Sequence, residues 1–363
     1  MSLLGLNHTE LEQTTIILWD PGVSGGTEGL STDSGNASFQ DATYDWFLRS
    51  RYWHLELFLI SAAVLFLVSL LANPLILICI VSTRNLRQES RYLLLANTLL
   101  SDIIFSILNL VVSICNMQGW PLHRLFCVIL IVIIATSYCS GIMTITLMVL
   151  DTYLAVHWPL HYENIVPSSR TKKILPAIWI MASLYPVTIM IILEMLDNQP
   201  LKQQKEVCLM LLTMGSGPLG NEMVIGFYVY FSLGALLCSS VVVFCLIRLY
   251  WITKTAGLWQ RRYSRAKVTL IVHTVMLLLY FGPGWVFAIE IILLQKDTMS
   301  LDVKVWIHAA NSNFLMMLPR AFFPYLYGLR YREISNTLKG LFRRRKISQL
   351  GVLTSAPCCL SVT

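Results

Sequence analysis

Residues 125–157, LFCVILIVIIATSYCSGIMTITLMVLDTYLAVH, carry one formal charge, Asp151, near one end. A membrane-spanning helix rises about 1.5 Å per residue and crosses the hydrocarbon in roughly 20 residues, so this run predicts a spanning helix with length to spare. Six runs of the same kind lie at 54–82, 92–117, 174–196, 221–253, 267–294 and 303–328. Composition agrees. Of 363 residues, 56% are apolar and only 13% charged, against roughly 25% charged in soluble proteins, and the mean hydropathy is +0.64. Such a chain cannot clothe a soluble globule in charge. That excludes a soluble enzyme, a nucleic-acid-binding domain and a disordered scaffold. A transporter or channel would want several intramembrane polar groups along a path, whereas only Asp102 and Arg320 are expected to be charged at depth, and no repeat is present. The expected fold is an all-α membrane protein, a seven-transmembrane-helix bundle.

Basic residues orient it. Arg84, Arg87 and Arg91, then Arg170, Lys172 and Lys173, then six between Arg248 and Lys267, then seven from Arg330 to Lys346 fall on one side. The other side is sparse in them, so the positive-inside rule puts the N-terminus outside and the C-terminus in the cytoplasm. Residues 1–53 read as an extracellular, disordered tail: the first 45 hold acids, Gly, Ser and Thr but no Lys or Arg. Two glycosylation triplets, starting at Asn7 and Asn36, fall there. No basic segment precedes an early apolar core, so the first span is expected to target the chain itself. Residues 54–328 form the bundle. Residues 329–342 have apolar positions at helical spacing beside basic ones, which predicts a short amphipathic cytoplasmic helix on the membrane surface. The cytoplasmic tail, 343–363, opens with Arg343, Arg344, Arg345 and Lys346, suited to anionic inner-leaflet lipid at about 1 kcal/mol per residue. It ends near Cys358 and Cys359, candidates for lipidation.

The motifs within the runs are more specific. The first run has Asn73, and the second NTLLSD, from Asn97 to Asp102. Trp120 stands seven residues before Cys127, and DTYLAVHWPLHY runs from Asp151 to Tyr162. Trp179 lies in the fourth run, Pro283 in FGP of the sixth, and PYLYGLR spans Pro324 to Arg330. In that order and spacing, these motifs make the chain resemble the rhodopsin-like G-protein-coupled receptors over roughly residues 54–342. LRQES, YSRAK, AANS and LMMLPRA resemble a small orphan branch of that family.

The resemblance implies an extracellular ligand, unknown here, and a heterotrimeric G protein or arrestin inside. It pairs Cys127 with Cys208; by the residues alone, both fall on the oxidising outer side and the alternative is two free thiols. Such a bridge is worth about 4 kcal/mol at most. Cys79, Cys139, Cys238, Cys245 and Cys115 read as small packing residues. By register from the matched motifs, the ligand pocket should be lined by Ile131, Ile134, Ala135 and Tyr138, by Phe281, Trp285 and Ala288, and by Asn313 and Met317. No carboxylate lies between Val128 and Tyr138, where amine receptors keep theirs, so a hydrophobic or neutral ligand is expected. Glu194 and Glu290 either meet a basic group at the mouth or stay as solvated rim charges. His273 reads as a packing residue. No metal-ligand cluster, cofactor motif or nucleophile–base pair appears, so no catalytic, cofactor or metal site is expected and the chain is not read as an enzyme.

The resemblance assigns activation and coupling to Asp151, Thr152, Tyr153, Phe281, Pro283, Pro324 and Tyr327. Four departures stand out. Thr152 replaces the family's arginine, Phe323 its asparagine and Phe281 its tryptophan, and the fifth run has no proline. Thr152 should weaken G-protein coupling, which leaves a ligand-binding or scavenging receptor as the alternative. In the family, the acid matching Asp102 holds sodium within a polar shell. Here the shell positions are Gly141, Pro319, Arg320 and Phe323. Asp102 and Arg320 should differ in depth by only about 5 Å, so a buried ion pair is expected, with Arg320 as a tethered substitute for the ion. The alternative places Arg320 in a separate watery cavity.

Overall fold

The computed structural model describes residues 54–118, 120, 122–196, 204, 205, 208, 220–255, 265–295, 307, 310–328, 334, 336, 337 and 340. Six long helices follow the apolar runs: α1 His54–Ser82, α2 Ser90–Gln118, α3 Arg124–His157, α4 Ser168–Leu196, α5 Gly220–Thr255 and α6 Arg265–Gln295. The seventh run forms α7, an α-helical Met317–Phe323 between two π-helical segments, Asn311–Leu315 and Pro324–Gly328. Among the described residues, five helices are long and apolar enough to cross a membrane, and α6 adds a shorter apolar stretch, Thr274–Glu290. α4 starts six residues before its apolar run, because the polar turn Ser168–Lys173 continues the helix beyond the hydrocarbon.

The bundle holds polar side chains within an apolar core and presents apolar side chains outward, unlike a soluble protein. Asn73, Ser101, Asp102, Ser137, Ser140 and Asn311 are buried, while Leu71, Leu237 and Leu278 are each about two-thirds exposed. Outward leucines suit lipid contact, and inward hydroxyls and amides join helices to one another. α3 is the central helix: 67% of its apolar window is buried, against 22–39% for the other four.

Polar side chains fix the seams. Asn97 of α2 donates to the Thr144 hydroxyl of α3 at 2.8 Å and accepts from the Trp179 indole of α4 at 2.9 Å. Interhelical bonds of this kind average only about 0.6 kcal/mol in membranes, so they set register more than stability. Pro324 has no N–H, which frees the Arg320 carbonyl four residues earlier. The Asn73 amide of α1 reaches that carbonyl at 3.4 Å, and the Tyr325 hydroxyl donates to the Val68 carbonyl at 2.9 Å.

The 1–53 tail, with Asn7 and Asn36, and the 343–363 tail, with Cys358 and Cys359, lie outside the described residues. Of the segment 329–342, the four described positions are helical, with Ile334 buried and Asn336 and Gly340 exposed.

Candidate functional site: an aromatic cavity above a buried ion pair

Three described residues between α4 and α5, Gln204, Lys205 and Cys208, are anchored at one end of the bundle in three ways. A short strand β1, Leu122–His123, precedes α3 and pairs antiparallel with β2, Gln204–Lys205. Three residues beyond β2, Cys208 is disulfide-bonded to Cys127, with Cα atoms 5.7 Å apart. Asn116 of α2 then grips the Cys208 backbone, donating to its carbonyl at 2.9 Å and accepting from its N–H at 2.7 Å. The sequence reading missed Asn116; its place two residues from the end of α2, level with the loop, was the available signal. Cys79, Cys115, Cys139, Cys238 and Cys245 are free.

Beneath Cys208 lies a cavity of ≈ 110 Å³. Its wall comprises Phe105, Asn109 and Val112 of α2, Ile131, Ile134, Ala135 and Tyr138 of α3, Phe227 and Phe231 of α5, Phe287 of α6, and Ser312 and Met316 of α7. The four α3 positions singled out from sequence all lie on it. The others do not. Phe281 and Met317 are buried elsewhere, Ala288 is half-buried off the wall, and Trp285 is 47% exposed. Asn313 instead accepts from the Ser113 hydroxyl at 3.1 Å.

Both displacements have physical causes. On α6, a Cβ at Gly284 would fall 2.5 Å from that of Ala235, so this close approach fixes which face meets α5 and turns Trp285 off it. On α7, the Met316 N–H bonds back five residues to the Asn311 carbonyl. A π turn breaks the 3.6-residue phase, and Ser312 and Met316 take the places read for Asn313 and Met317. Glu290 is also corrected. It is 4% exposed, with the Asn311 amide 3.4 Å away and the Tyr228 hydroxyl bonded to it, so it is not a solvated rim charge. The side chains of Glu194, His273 and Tyr327 lie outside the described ones.

The cavity floor is the roof of a second site. Arg320 is 1% exposed and Asp102 fully buried, with Nε 3.5 Å from Oδ1. Tyr280 of α6 donates to the other carboxylate oxygen at 2.5 Å, and an Arg320 Nη donates to the Met316 carbonyl. The guanidinium carbon lies 3.7 Å from the Phe105 ring centroid, 5.2 Å from that of Tyr138 and 5.9 Å from that of Tyr280. Desolvated cation–π contacts are worth about 2 kcal/mol, so the aromatic cage replaces hydration on the faces that Asp102 leaves open. Gly141 adds no side chain beside the carboxylate, and Phe323 packs edge-on to Tyr280 at 5.6 Å. Arg320 therefore lies beside Asp102 rather than in a separate cavity. Pro283 and Pro324 are buried.

At the end of α3 away from the disulfide, the Arg91 guanidinium acts on the charge of Asp151, whose hydrogen bond comes from a phenol. The Tyr162 hydroxyl, on the single helical turn Tyr162–Ile165, donates to it at 2.8 Å. Burial first, and then the Asp151 carboxylate, push the Tyr162 phenol well up, so it stays a donor. Thr152 spends its hydroxyl on the Met148 carbonyl of its own helix at 2.9 Å. Tyr153 stacks on His157 at 5.3 Å. Among the described residues, no group of three His, Cys, Asp or Glu could hold a metal.

Comparison with known proteins agrees with this geometry. The family model described as 7 transmembrane receptor (rhodopsin family) matches residues 72–327. The chain is 36% identical to human probable G-protein coupled receptor 148 over 295 residues, 81% of this chain and 84% of that one. It is 22% identical to mouse somatostatin receptor type 1 over 329 residues, covering 88% and 78%. It is 26% identical to zebrafish (Danio rerio) odorant receptor 131-2 over 284 residues, covering 77% and 84%. Membership implies a multi-pass plasma-membrane receptor rather than an enzyme, with an extracellular ligand and a G protein or arrestin as cytoplasmic partner. The chain belongs to the rhodopsin family of seven-transmembrane receptors.

Proposed function

We propose that the chain takes a neutral or hydrophobic ligand in the outer cavity and passes its occupancy inward through Arg320. One observation carries this: Phe105, Tyr138 and Met316 belong to the cavity wall, and each also touches the guanidinium. A ligand that shifts the floor shifts the cation. Among the described residues, the wall holds no acidic or basic side chain, so an ammonium finds no counter-charge on them. Relatives are named for somatostatin and for odorants; the small cavity favours a ligand on the odorant scale.

In this reading the N-terminus is outside, glycosylated at Asn7 and Asn36, and the C-terminus is cytoplasmic. The run Arg343–Lys346 then faces anionic lipid, with Cys358 and Cys359 as acylation sites. Thr152 lacks the length to reach a partner, so G-protein activation is weak. That observation also supports the second reading, a receptor that captures or internalises its ligand with little G-protein coupling. The test measures basal G-protein activation and arrestin recruitment at matched surface levels, in the native receptor and in Thr152→Arg. Weak native activation that rises in the variant supports the weak-coupling account. Native activation as strong as in ordinary receptors contradicts it.

A further inference from the structure

We propose that the cavity is built for an uncharged, single-ring molecule bearing a hydrogen-bond acceptor that pairs with Asn109 or Tyr138. The inference rests on the cavity being the ligand site. Two atoms on its wall point to it: the Asn109 Nδ2 and the Tyr138 hydroxyl are buried and have no acceptor. Buried donors are rarely left unpaired, because each forfeits its hydration with no return. They stand on different sides of the wall, Asn109 on α2 and the Tyr138 hydroxyl by Gly284 of α6, so a ligand acceptor that reaches either one pairs a donor the fold leaves open. The rest of the wall is chiefly apolar, with Phe105, Phe227, Phe231 and Phe287 contributing rings. Such rings receive another ring edge-on or offset.

Size and charge narrow the class. A space of ≈ 110 Å³ is on the scale of the ~150 Å³ cavity that holds benzene in an engineered protein. One ring with a short substituent is the fit. Charge points the same way, since the Arg320 guanidinium lies directly against Phe105 and Tyr138. Its field favours the negative end of a carbonyl, ether or nitrile dipole and opposes an ammonium.

The experiment uses the full-length receptor in lipid nanodiscs and reads thermal stability against concentration of three probes. Benzonitrile and phenylacetylene have nearly the same shape, but only the first carries a good acceptor; benzylamine adds a cation. Benzonitrile should bind most tightly and benzylamine least. Asn109→Leu or Tyr138→Phe, whichever removes the donor used, should weaken benzonitrile roughly fivefold and leave phenylacetylene unchanged; no loss in either variant would overturn the acceptor. Without probe, Asn109→Leu should melt no lower than the native receptor, since it removes an unpaired donor; this readout stands even if Tyr138→Phe folds poorly. Equal affinities for benzonitrile and phenylacetylene, or a preference for benzylamine, would overturn the acceptor while leaving the cavity as a ligand site. If none of the three shifts the melting point, the inference and the reading beneath it both fall.

Discussion

Asp102 and Asp151 are both buried acids, on the adjoining helices α2 and α3, yet they have different company. Asp102, fully buried, has a guanidinium 3.5 Å away, a tyrosine hydroxyl and an aromatic cage. Asp151, 6% exposed, accepts from the Tyr162 hydroxyl, while the Arg91 guanidinium of α2 acts on its charge. The difference follows depth. A charge at the bilayer centre costs about 2.5–3.5 kcal/mol on insertion scales, and that cost fades towards the headgroups. A deep carboxylate needs a cation packed beside it; one near the end of the bundle can accept from a hydroxyl, with the cation of Arg91 acting on it as well. The family resemblance leads one to expect the arginine beside Asp151, but the sequence puts threonine there and an arginine on α7 beside the deeper acid.

The largest expected effect breaks the deep pair. Arg320→Gln strands Asp102 and should cost about 3–5 kcal/mol, seen as a collapse of surface expression or of melting temperature. A smaller loss, up to about 4 kcal/mol, is expected for Cys127→Ser or Cys208→Ser, with non-reducing peptide mapping as the direct check. Asn116→Ala should cost roughly 1–2 kcal/mol, because two bonds to Cys208 are lost while the disulfide remains. Tyr162→Phe should be the mildest, about 1 kcal/mol or less, measured by the same melting assay. A Tyr162→Phe loss as large as that of Arg320→Gln would break the depth argument.

Much of this was legible in the sequence, and the rest fails for identifiable reasons. Apolar runs locate spanning helices because lipid demands uninterrupted hydrocarbon, and α3 keeps an unbroken helical phase, so Ile131, Ile134, Ala135 and Tyr138 could be placed by counting. Ser312 and Met316 could not, because the π turn at Asn311–Leu315 leaves no mark in a hydropathy pattern. Trp285 was misplaced because Gly284, not the nearby proline motif, decides which face of α6 packs. Glu290 looked like a rim charge because its partners, Tyr228 and Asn311, come from two other helices. Asn116 was overlooked because its partner is backbone 92 residues away.

The central claim is that Asp102 and Arg320 stabilise the bundle as a pair. Its most direct test is a double-mutant cycle of thermal stability in detergent, with Asp102→Asn, Arg320→Gln and both, each measured in sodium and in potassium. The account predicts that the double variant loses less than the sum of the two single losses, by roughly 1–3 kcal/mol. It also predicts that the native receptor melts at the same temperature in either salt. Additive losses, or a native protein stabilised by sodium over potassium, would contradict it.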